Sequence, residues 1–176
     1  MVKSDRLQMA MIAQEITQKL NIDVQVGGAE AEAAILAALT TPGTTRPLAI
    51  LDLGAGSTDA SIINPKGEII ATHLAGAGDM VTMIIARELG LDDRYLAEEI
   101  KKYPLAKVES LFHLRHEDGS VQFFPTPLPP TVFARVCVVN PDELVPLPGE
   151  LALEKVRAIR RSAKERVFVT NALRAL

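Results

Sequence analysis

The chain has 176 residues, a length that suits one ordinary domain or one lobe of a larger domain. Apolar residues make up 48% of it and aromatic residues only 4%, so the core must be aliphatic. The formal net charge of −3 gives no broad electrostatic basis for binding nucleic acid, and no apolar run approaches the roughly 20 residues that cross a bilayer.

The first predicted element is an amphipathic helix. Apolar residues recur at three- and four-residue spacing between Met9 and Leu20, which is one face of a helix. Ser4 or Asp5 suits its start, and Asn21 suits its end.

Three more elements are predicted before the first glycine-rich loop. Apolar and polar residues alternate over 22–26, which predicts a short strand. Residues 29–39 are rich in alanine and predict a helix packed on a sheet. The apolar run 48–53 predicts a central strand that is buried on both faces.

A hairpin and two helices follow. Strands are predicted at 58–63 and 68–74 around the turn signal of residues 64–67. The next helix is expected to be capped by Asp79 and to end at Gly90, and another is expected to open at Asp92 or Asp93.

The remainder is predicted to mix strands, proline-rich loops and a long helix. Since strands and helices are mixed along the chain, we expect an α/β protein with a mixed sheet. It begins and ends in helices, so we expect an excised fragment. The strands are predicted at 108–115, 120–124 and 131–139, the loops at 125–130 and 141–149, and the last helix at 151–173.

The stretch from Leu51 to Ala60 carries the clearest chemical signal. Gly54 and Gly56 allow a tight loop between two strands, and successive N–H groups in such a loop form a concavity suited to an anion. No Gly-Lys-Ser/Thr follows, which excludes a Walker-type loop, and a strand follows where a Rossmann fold would begin a helix. A plain β-hairpin turn is the alternative.

Acidic residues flank this loop. Asp52 and Asp59 would repel a bare phosphate, so their presence implies a cation between carboxylates and phosphate. A hydrated Mg²⁺, which takes one or two carboxylates together with phosphate oxygens, meets that need.

The pattern Asp52-x-Gly-x-Gly-Ser-x-Asp59 between two strands resembles the second phosphate motif of the actin, Hsp70 and sugar-kinase ATPases. Residues 28–34 and 73–79 resemble two further segments of that superfamily in the same order. The resemblance implies a ribonuclease H-like, actin-like ATPase lobe, present in part, with flanking helices and a small β insertion. Residues 1–176 would belong to the second lobe of one such domain, with 104–149 as an insertion or sub-domain.

The runs 27–43, 48–63, 73–85 and 101–124 narrow the resemblance to the large subunits of diol and glycerol dehydratase reactivating factors. That family implies a chaperone-like ATPase that uses ATP to release damaged cobalamin from adenosylcobalamin-dependent dehydratases. The implied partners are a small (beta) subunit, the dehydratase and the nucleotide, with neither nucleic acid nor membrane. A sugar-kinase-like phosphotransferase and a non-catalytic interaction module of the same fold are the alternatives.

The resemblance also implies roles for individual residues, with ATP or ADP and Mg²⁺ as cofactors. Glu30 would orient the attacking water or the metal shell, although a solvated carboxylate favoured by the helix dipole explains it equally well. Gly76 and Gly78 would line the phosphates, or would simply link a strand to a helix. The implied catalytic and metal-binding acids are Asp52 and Asp59, and the implied nucleotide-binding residues are Gly54, Ala55, Gly56, Ser57 and Thr58.

Two features remain outside the site. Cys137 is the single cysteine, and its apolar neighbours indicate a buried residue; together with the absence of a signal-peptide pattern this predicts a cytoplasmic protein. The last helix carries basic residues that predict either a contact face for an acidic partner or a solvated surface. They are Lys155, Arg157, Arg160, Arg161, Lys164 and Arg166.

Overall fold

The computed structural model describes residues 6–27, 30–40 and 48–175, and the side chains at 6 and 30–32 are not included. The chain divides into two compact units. The first holds the described residues up to Asp52, the segment Thr58–Leu74, and Arg174 and Ala175. The second holds Leu53–Ser57 and Ala75–Leu173.

The first unit begins with the two predicted helices, α1 (Arg6–Leu20) and α2 (Glu30–Leu39). Helix α1 ends as expected at Asn21, which has φ 51° and donates its N–H to Thr17 O at 2.9 Å. The caps predicted at 4 and 5 lie outside the described residues. The strand predicted at 22–26 is wrong, because this segment pairs with no strand in the described part of the chain.

Strands β1 (Leu48–Leu53), β2 (Ser57–Ile63) and β3 (Ile69–Ala75) form a three-stranded sheet in that order. The hairpin turn is fixed by Asn64, whose Oδ1 accepts the N–H groups of Lys66 and Glu68 at 2.9 and 3.0 Å. The prediction that β1 is a central strand buried on both faces is wrong. It lies at the edge of this sheet, and its residue Leu53 is 43% exposed.

Helices α3 (Gly78–Leu89) and α4 (Arg94–Lys102) belong to the second unit. Gly90 ends α3 with φ 64° and ψ 39°, and Asp93 caps α4 by accepting the N–H of Tyr95 at 2.8 Å, both as predicted. The prediction that Asp79 caps α3 is wrong. Asp79 lies in the first turn, and backbone carbonyls of an upstream loop accept the first amides of the helix.

A five-stranded sheet follows, with the order β6-β5-β4-β7-β8 and antiparallel pairing throughout. The alternating helices and sheets confirm the predicted α/β class. The strands are β4 (Leu105–Ser110), β5 (His113–His116), β6 (Val121–Phe123), β7 (Val136–Val139) and β8 (Leu144–Pro146).

Three boundaries in this region differ from the predictions. The strand expected at 108–115 is interrupted by a tight turn, which Ser110 closes by accepting the N–H of Phe112 at 3.1 Å. The strand expected at 131–139 begins only at Val136, because Pro130–Val132 forms a 3-10 turn. The loop expected at 141–149 contains strand β8.

The final helical segment runs without a break but changes its winding. Helix α5 (Leu153–Lys164) passes into a π-helical turn, Glu165–Val169, and then into α6 (Thr170–Ala175). None of the helices within the described ranges is long and apolar enough to cross a membrane.

The two faces of the five-stranded sheet bury different residues, as the alternation of side chains in a strand requires. One face packs against α3, α4 and α5 through Leu105, Val136 and Val138. The other face buries Ala106 and Cys137. The predicted burial of Cys137 is confirmed, and burial raises the pKa of its thiol to about 11, which keeps it protonated at neutral pH.

Candidate functional site

The loop between β1 and β2 is a tight turn at the surface of the second unit. We call residues 53–57 the glycine loop. The N–H of Gly54 donates to Ser57 O at 3.0 Å, which closes the turn. A Cβ added to Gly54 would lie 3.3 Å from the same carbonyl oxygen, so a side chain would crowd the turn.

A second segment, residues 76–79 at the start of α3, holds the glycine loop by its carbonyl groups. We call it the clamp segment. Its amides replace a side-chain cap, so the first turn of α3 is satisfied by the loop itself. The N–H of Gly76 donates to Gly56 O at 2.8 Å, that of Gly78 to Gly54 O at 3.0 Å, and that of Asp79 to Ala55 O at 2.8 Å.

These bonds determine which way the peptide groups of the glycine loop face. In a trans peptide the C=O and the following N–H point in opposite directions. Since the carbonyls of Gly54, Ala55 and Gly56 point to the clamp segment, the N–H groups of Ala55, Gly56 and Ser57 point away from it. Within the described ranges, the amides of Ala55 and Gly56 donate to no backbone carbonyl.

Three of the glycines predicted near the phosphates use their amides within the protein. The amide of Gly54 is used within the turn, and the amides of Gly76 and Gly78 are used to hold the glycine loop. These three residues support the outward-facing amides and are not themselves outward donors. The arrangement also explains why their region is rich in glycine, since the two backbone segments approach closely.

Gly76 and Gly78 meet different constraints. Gly76 has φ 93°, a conformation that side chains rarely adopt, and its carbonyl accepts the Asn171 side-chain amide at 2.7 Å. A Cβ on Gly78 would lie 3.3 Å from both Gly54 O and Lys101 Nζ. The clamp segment is thus fixed by α6 on one side and by α4 on the other.

A polar cluster lies beneath the clamp segment. Lys101 Nζ donates to Gly78 O at 3.1 Å and to Thr82 Oγ1 at 3.0 Å, and it pairs with Glu98 at 2.6 Å. Burial raises the pKa of Glu98, but hydrogen bonds from Lys101, Thr82 and Lys102 outweigh it and lower the pKa to about 2. Glu98 is therefore ionised at neutral pH and balances the Lys101 ammonium.

The acidic residues of the motif lie in the first unit. Asp52 is exposed at the end of β1. Asp59, on β2, is hydrogen-bonded across the hairpin to the Nδ1 of His73 on β3. The Thr58 side chain is fully buried, so its hydroxyl is not presented at the surface. Glu30 begins α2, and its side chain lies outside the described part of the structure.

A magnesium–nucleotide complex needs donors for its phosphates and only a few protein carboxylates. In the described part of the chain, no group of three or more His, Cys, Asp or Glu side chains could hold a metal ion. Mg²⁺ needs no such cage, because it keeps several waters and takes one or two carboxylates with phosphate oxygens. Within the second unit, the outward amides of the glycine loop suit phosphate oxygens. Within the first unit, Asp52 offers an exposed carboxylate.

Most of the basic residues on the last helix have acidic partners within the chain. Arg157, Arg161 and Arg166 pair with Glu154, Glu165 and Glu88 at 3.7, 2.8 and 2.5 Å. Arg160 pairs with Glu117 in the turn after β5. This face is therefore largely neutralised internally, which favours the solvated-surface interpretation over a site for an acidic partner.

Comparison with known proteins gives consistent matches over the chain. A family model described as the diol dehydratase reactivase ATPase-like domain matches residues 1–176. The chain is 98% identical over 176 residues to a propanediol dehydratase-reactivating factor large subunit of Citrobacter freundii, covering all of this chain and 29% of that protein. The chain thus spans about three-tenths of the length of the curated relatives it matches.

Two solved structures share the fold of the chain. The nucleotide-free diol dehydratase-reactivating factor has a TM-score of 0.85 and 94% identity, with 98% of this chain and 28% of that chain covered. A glycerol dehydratase reactivase has a TM-score of 0.86 and 62% identity, with 97% of this chain and 28% of that chain covered.

Proposed function

The chain belongs to the diol dehydratase reactivase ATPase-like domain family, and from this membership we propose that it forms part of the ATPase subunit of a chaperone-like reactivating factor. The factor would use ATP to release damaged cobalamin from an adenosylcobalamin-dependent diol or glycerol dehydratase. The names of the relatives support this proposal, because they are large subunits of dehydratase-reactivating factors. A small subunit and the dehydratase would be its partners.

The observation that carries the proposal is the outward orientation of the glycine-loop amides. We propose that Ala55, Gly56 and Ser57 bind the phosphates of ATP or ADP through their backbone N–H groups. The carbonyls of the same three peptides are held by the clamp segment, so the donors are oriented before a ligand arrives. Preorganised donors of this kind bind an anion without the cost of ordering a loop.

The roles of the acidic residues rest on their positions in the motif. Asp52 and Asp59 would hold the Mg²⁺ of the nucleotide or its waters, and Glu30 would orient the attacking water. The magnesium would neutralise charge on the phosphates. Hydrolysis then needs mainly a positioned water and charge stabilisation, which side chains of this type provide.

The architecture supports a matching proposal for the organisation of the chain. We assign it to the second lobe of an actin/Hsp70-like ATPase domain, with 104–149 as an insertion. The strands β4–β8 form an antiparallel sheet that is separate from β1–β3, as an inserted element would.

The proposal is tested on the intact large subunit assembled with its small subunit. ATP-dependent release of damaged cobalamin from an inactivated dehydratase is measured for the wild type, Asp59→Asn and Asp142→Asn. We expect release to fall by at least about tenfold in Asp59→Asn, since an acidic group near the metal is lost. Asp142 is an exposed residue in the β7–β8 turn, so Asp142→Asn is the matched control.

Two outcomes would support the alternatives. Release that is unchanged in Asp59→Asn would favour a non-catalytic interaction module. ATP-dependent phosphorylation of small polyols by the wild type, without cobalamin release, would favour a sugar-kinase-like phosphotransferase.

A further inference from the structure

The strongest unassigned feature is the cation beneath the clamp segment. The Lys101 side chain is only 15% exposed, although lysine normally extends into water. Its ammonium has three oxygen partners, namely Gly78 O, Thr82 Oγ1 and Glu98 Oε2. These partners use all three of its donors, so Lys101 is held in one position.

The bond from Lys101 to Gly78 O is the start of a chain of polarised peptide groups. The Gly78 carbonyl and the Asp79 N–H belong to one peptide, and that N–H donates to Ala55 O at 2.8 Å. The Ala55 carbonyl and the Gly56 N–H belong to the next peptide, and this N–H points away from the clamp segment. Hydrogen bonds in series polarise one another, and a charged donor at the end strengthens the series.

The Glu98 carboxylate has hydrogen-bond partners other than Lys101, so neutralising Glu98 does not explain the position of Lys101. Lys102 also pairs with Glu98, at 3.1 Å, and Thr82 donates to it at 2.5 Å. Glu98 therefore keeps two partners if Lys101 is removed, whereas no other described side-chain cation donates to Gly78 O. Lys101 Nζ also packs closely on Gly78, which indicates that the lysine stabilises the backbone of the clamp segment.

We propose that Lys101 is a positioning residue for the nucleotide site, which holds and polarises the clamp segment so that the glycine-loop amides face the phosphates. The proposal rests on the proposed nucleotide-binding function of that loop. Lys101 does not touch the nucleotide; it acts through Gly78, Asp79 and Ala55. Its loss should therefore weaken nucleotide binding and loosen the glycine loop, while the rest of the unit stays folded.

The test uses the intact large subunit with Lys101→Met, and Lys102→Met as the matched control. Lys102 is the next residue, is more exposed and shares the partner Glu98, but it makes no bond to the clamp segment. Two quantities are measured: the dissociation constant of Mg-ADP by calorimetry, and backbone hydrogen exchange in the nucleotide-free subunit. Lys101→Gln, which keeps a donor without the charge, provides a second variant should Lys101→Met fold poorly.

We expect Lys101→Met to raise the dissociation constant of Mg-ADP by about tenfold, as the loss of a charge-assisted hydrogen bond predicts. Exchange should stay unchanged in β4–β8 and become faster at the hydrogen-bonded amides of the two segments, which are those of Gly54, Gly76, Gly78 and Asp79. Lys102→Met should leave both quantities at the wild-type level, and Lys101→Gln should fall between Lys101→Met and the wild type.

A lower thermal midpoint in Lys101→Met with wild-type affinity and wild-type exchange in the glycine loop would overturn the inference and leave a structural role only. A wild-type subunit that fails to bind Mg-ADP would instead refute the proposed nucleotide site. In that case the exchange comparison still decides whether Lys101 holds the loop, because it is made without nucleotide.

Discussion

Two glycines of the clamp segment are constrained for different physical reasons. Gly76 needs its left-handed backbone, since φ is 93°. Gly78 needs the absence of a side chain, because Gly54 O and Lys101 Nζ each lie 3.3 Å from where a Cβ would stand. A side chain at Gly76 would strain the backbone, whereas a side chain at Gly78 would push the glycine loop away.

Gly78→Ala should therefore destabilise the protein, although alanine favours a helix more than glycine does. We expect a loss of about 1–2 kcal/mol in the free energy of unfolding, as is usual for overpacking. Gly27→Ala is the control, because a Cβ at Gly27 would meet nothing within 4 Å. Urea unfolding measures both variants, and equal stability of the two would contradict the close packing.

The low pKa of Glu98 predicts a specific dependence of stability on pH. The folded-state pKa of about 2 lies below the ordinary value of 4.5, so this carboxylate stabilises the fold above pH 4.5. As the pH falls towards 2, the unfolded state binds a proton first and that stabilisation is lost. Each such proton contributes up to about 1.4 kcal/mol per pH unit to the slope.

Glu98→Gln should accordingly flatten the curve of unfolding free energy against pH between about 4.5 and 2. The exposed Glu154→Gln should leave the curve as it is in the wild type. Unfolding in urea at a series of pH values measures the slope, and an unchanged slope in Glu98→Gln would show that another group dominates it.

At the scale of elements, Arg160 ties helix α5 to two other elements. Its Nη1 donates to Tyr103 O at 2.8 Å after the end of α4, and its Nη2 pairs with Glu117 in the turn that follows β5. Both side chains of the pair are largely buried, at 15% and 18% exposure. A pair in this setting fixes how elements pack, and it is costly to break on one side only.

Glu117→Ala should cost about 3 kcal/mol of unfolding free energy, because it leaves the Arg160 guanidinium buried without its counter-ion. Glu154→Ala removes the partner of Arg157 on the same helix, but that pair is exposed and 3.7 Å long. It should change stability by less than about 0.5 kcal/mol. Chemical denaturation of the two variants gives the comparison, and similar losses would rule out a special role for the buried pair.

Periodicity predicted the elements with strong local signals and failed where pairing or turns depend on tertiary contacts. The helices around Met9–Leu20 and Asp93–Lys102 and the hairpin at Asn64 were recognisable from spacing, caps and turn residues. The alternation at 22–26 resembled a strand, yet no partner strand pairs with it in the described structure. The turn after Ser110 contains neither glycine nor proline, which are the strongest local turn signals, and Ser110 alone is a weaker one.

For the candidate site too, the sequence predicted the local motif but not the contacts between distant residues. The glycine loop was identified because its motif is contiguous in sequence. The sequence did not predict the contacts that hold the glycine loop in place. The pattern around Lys101 is that of an ordinary lysine on a helix surface, and its hydrogen bond to Gly78 O joins residues 23 positions apart. The pairing of Asp59 with His73 depends on which residues face each other across the hairpin, which sequence spacing did not reveal.

At the scale of the whole molecule, the chain is a part of what its relatives contain. It spans 29% of the curated large subunits that it matches, and it divides into two compact units. We propose the glycine loop as a source of phosphate donors, but the superfamily that the sequence resembles also uses another phosphate loop and an adenosine loop. We therefore expect the full affinity for nucleotide to be a property of the intact subunit.

Thermal unfolding with and without Mg-ADP tests this expectation. The intact subunit should be stabilised, by about 2.7 kcal/mol when the ligand is at one hundred times its dissociation constant. The 176-residue chain alone should show little shift at sub-millimolar nucleotide. A clear shift of the chain alone, lost in Asp59→Ala, would show that these residues already form a working site.

The π-helical turn Glu165–Val169 determines the direction in which the side chains of the following helix α6 point. A π turn accommodates one more residue than an α turn, so it rotates the following side chains by about 100° around the axis. With that rotation Asn171 reaches the carbonyls of Ala75 and Gly76. A single-residue deletion within 165–169 would restore regular winding, turn Asn171 away and release the clamp segment, even though no residue of the glycine loop had changed. Length variation in this turn is therefore expected to be tolerated far less than substitution.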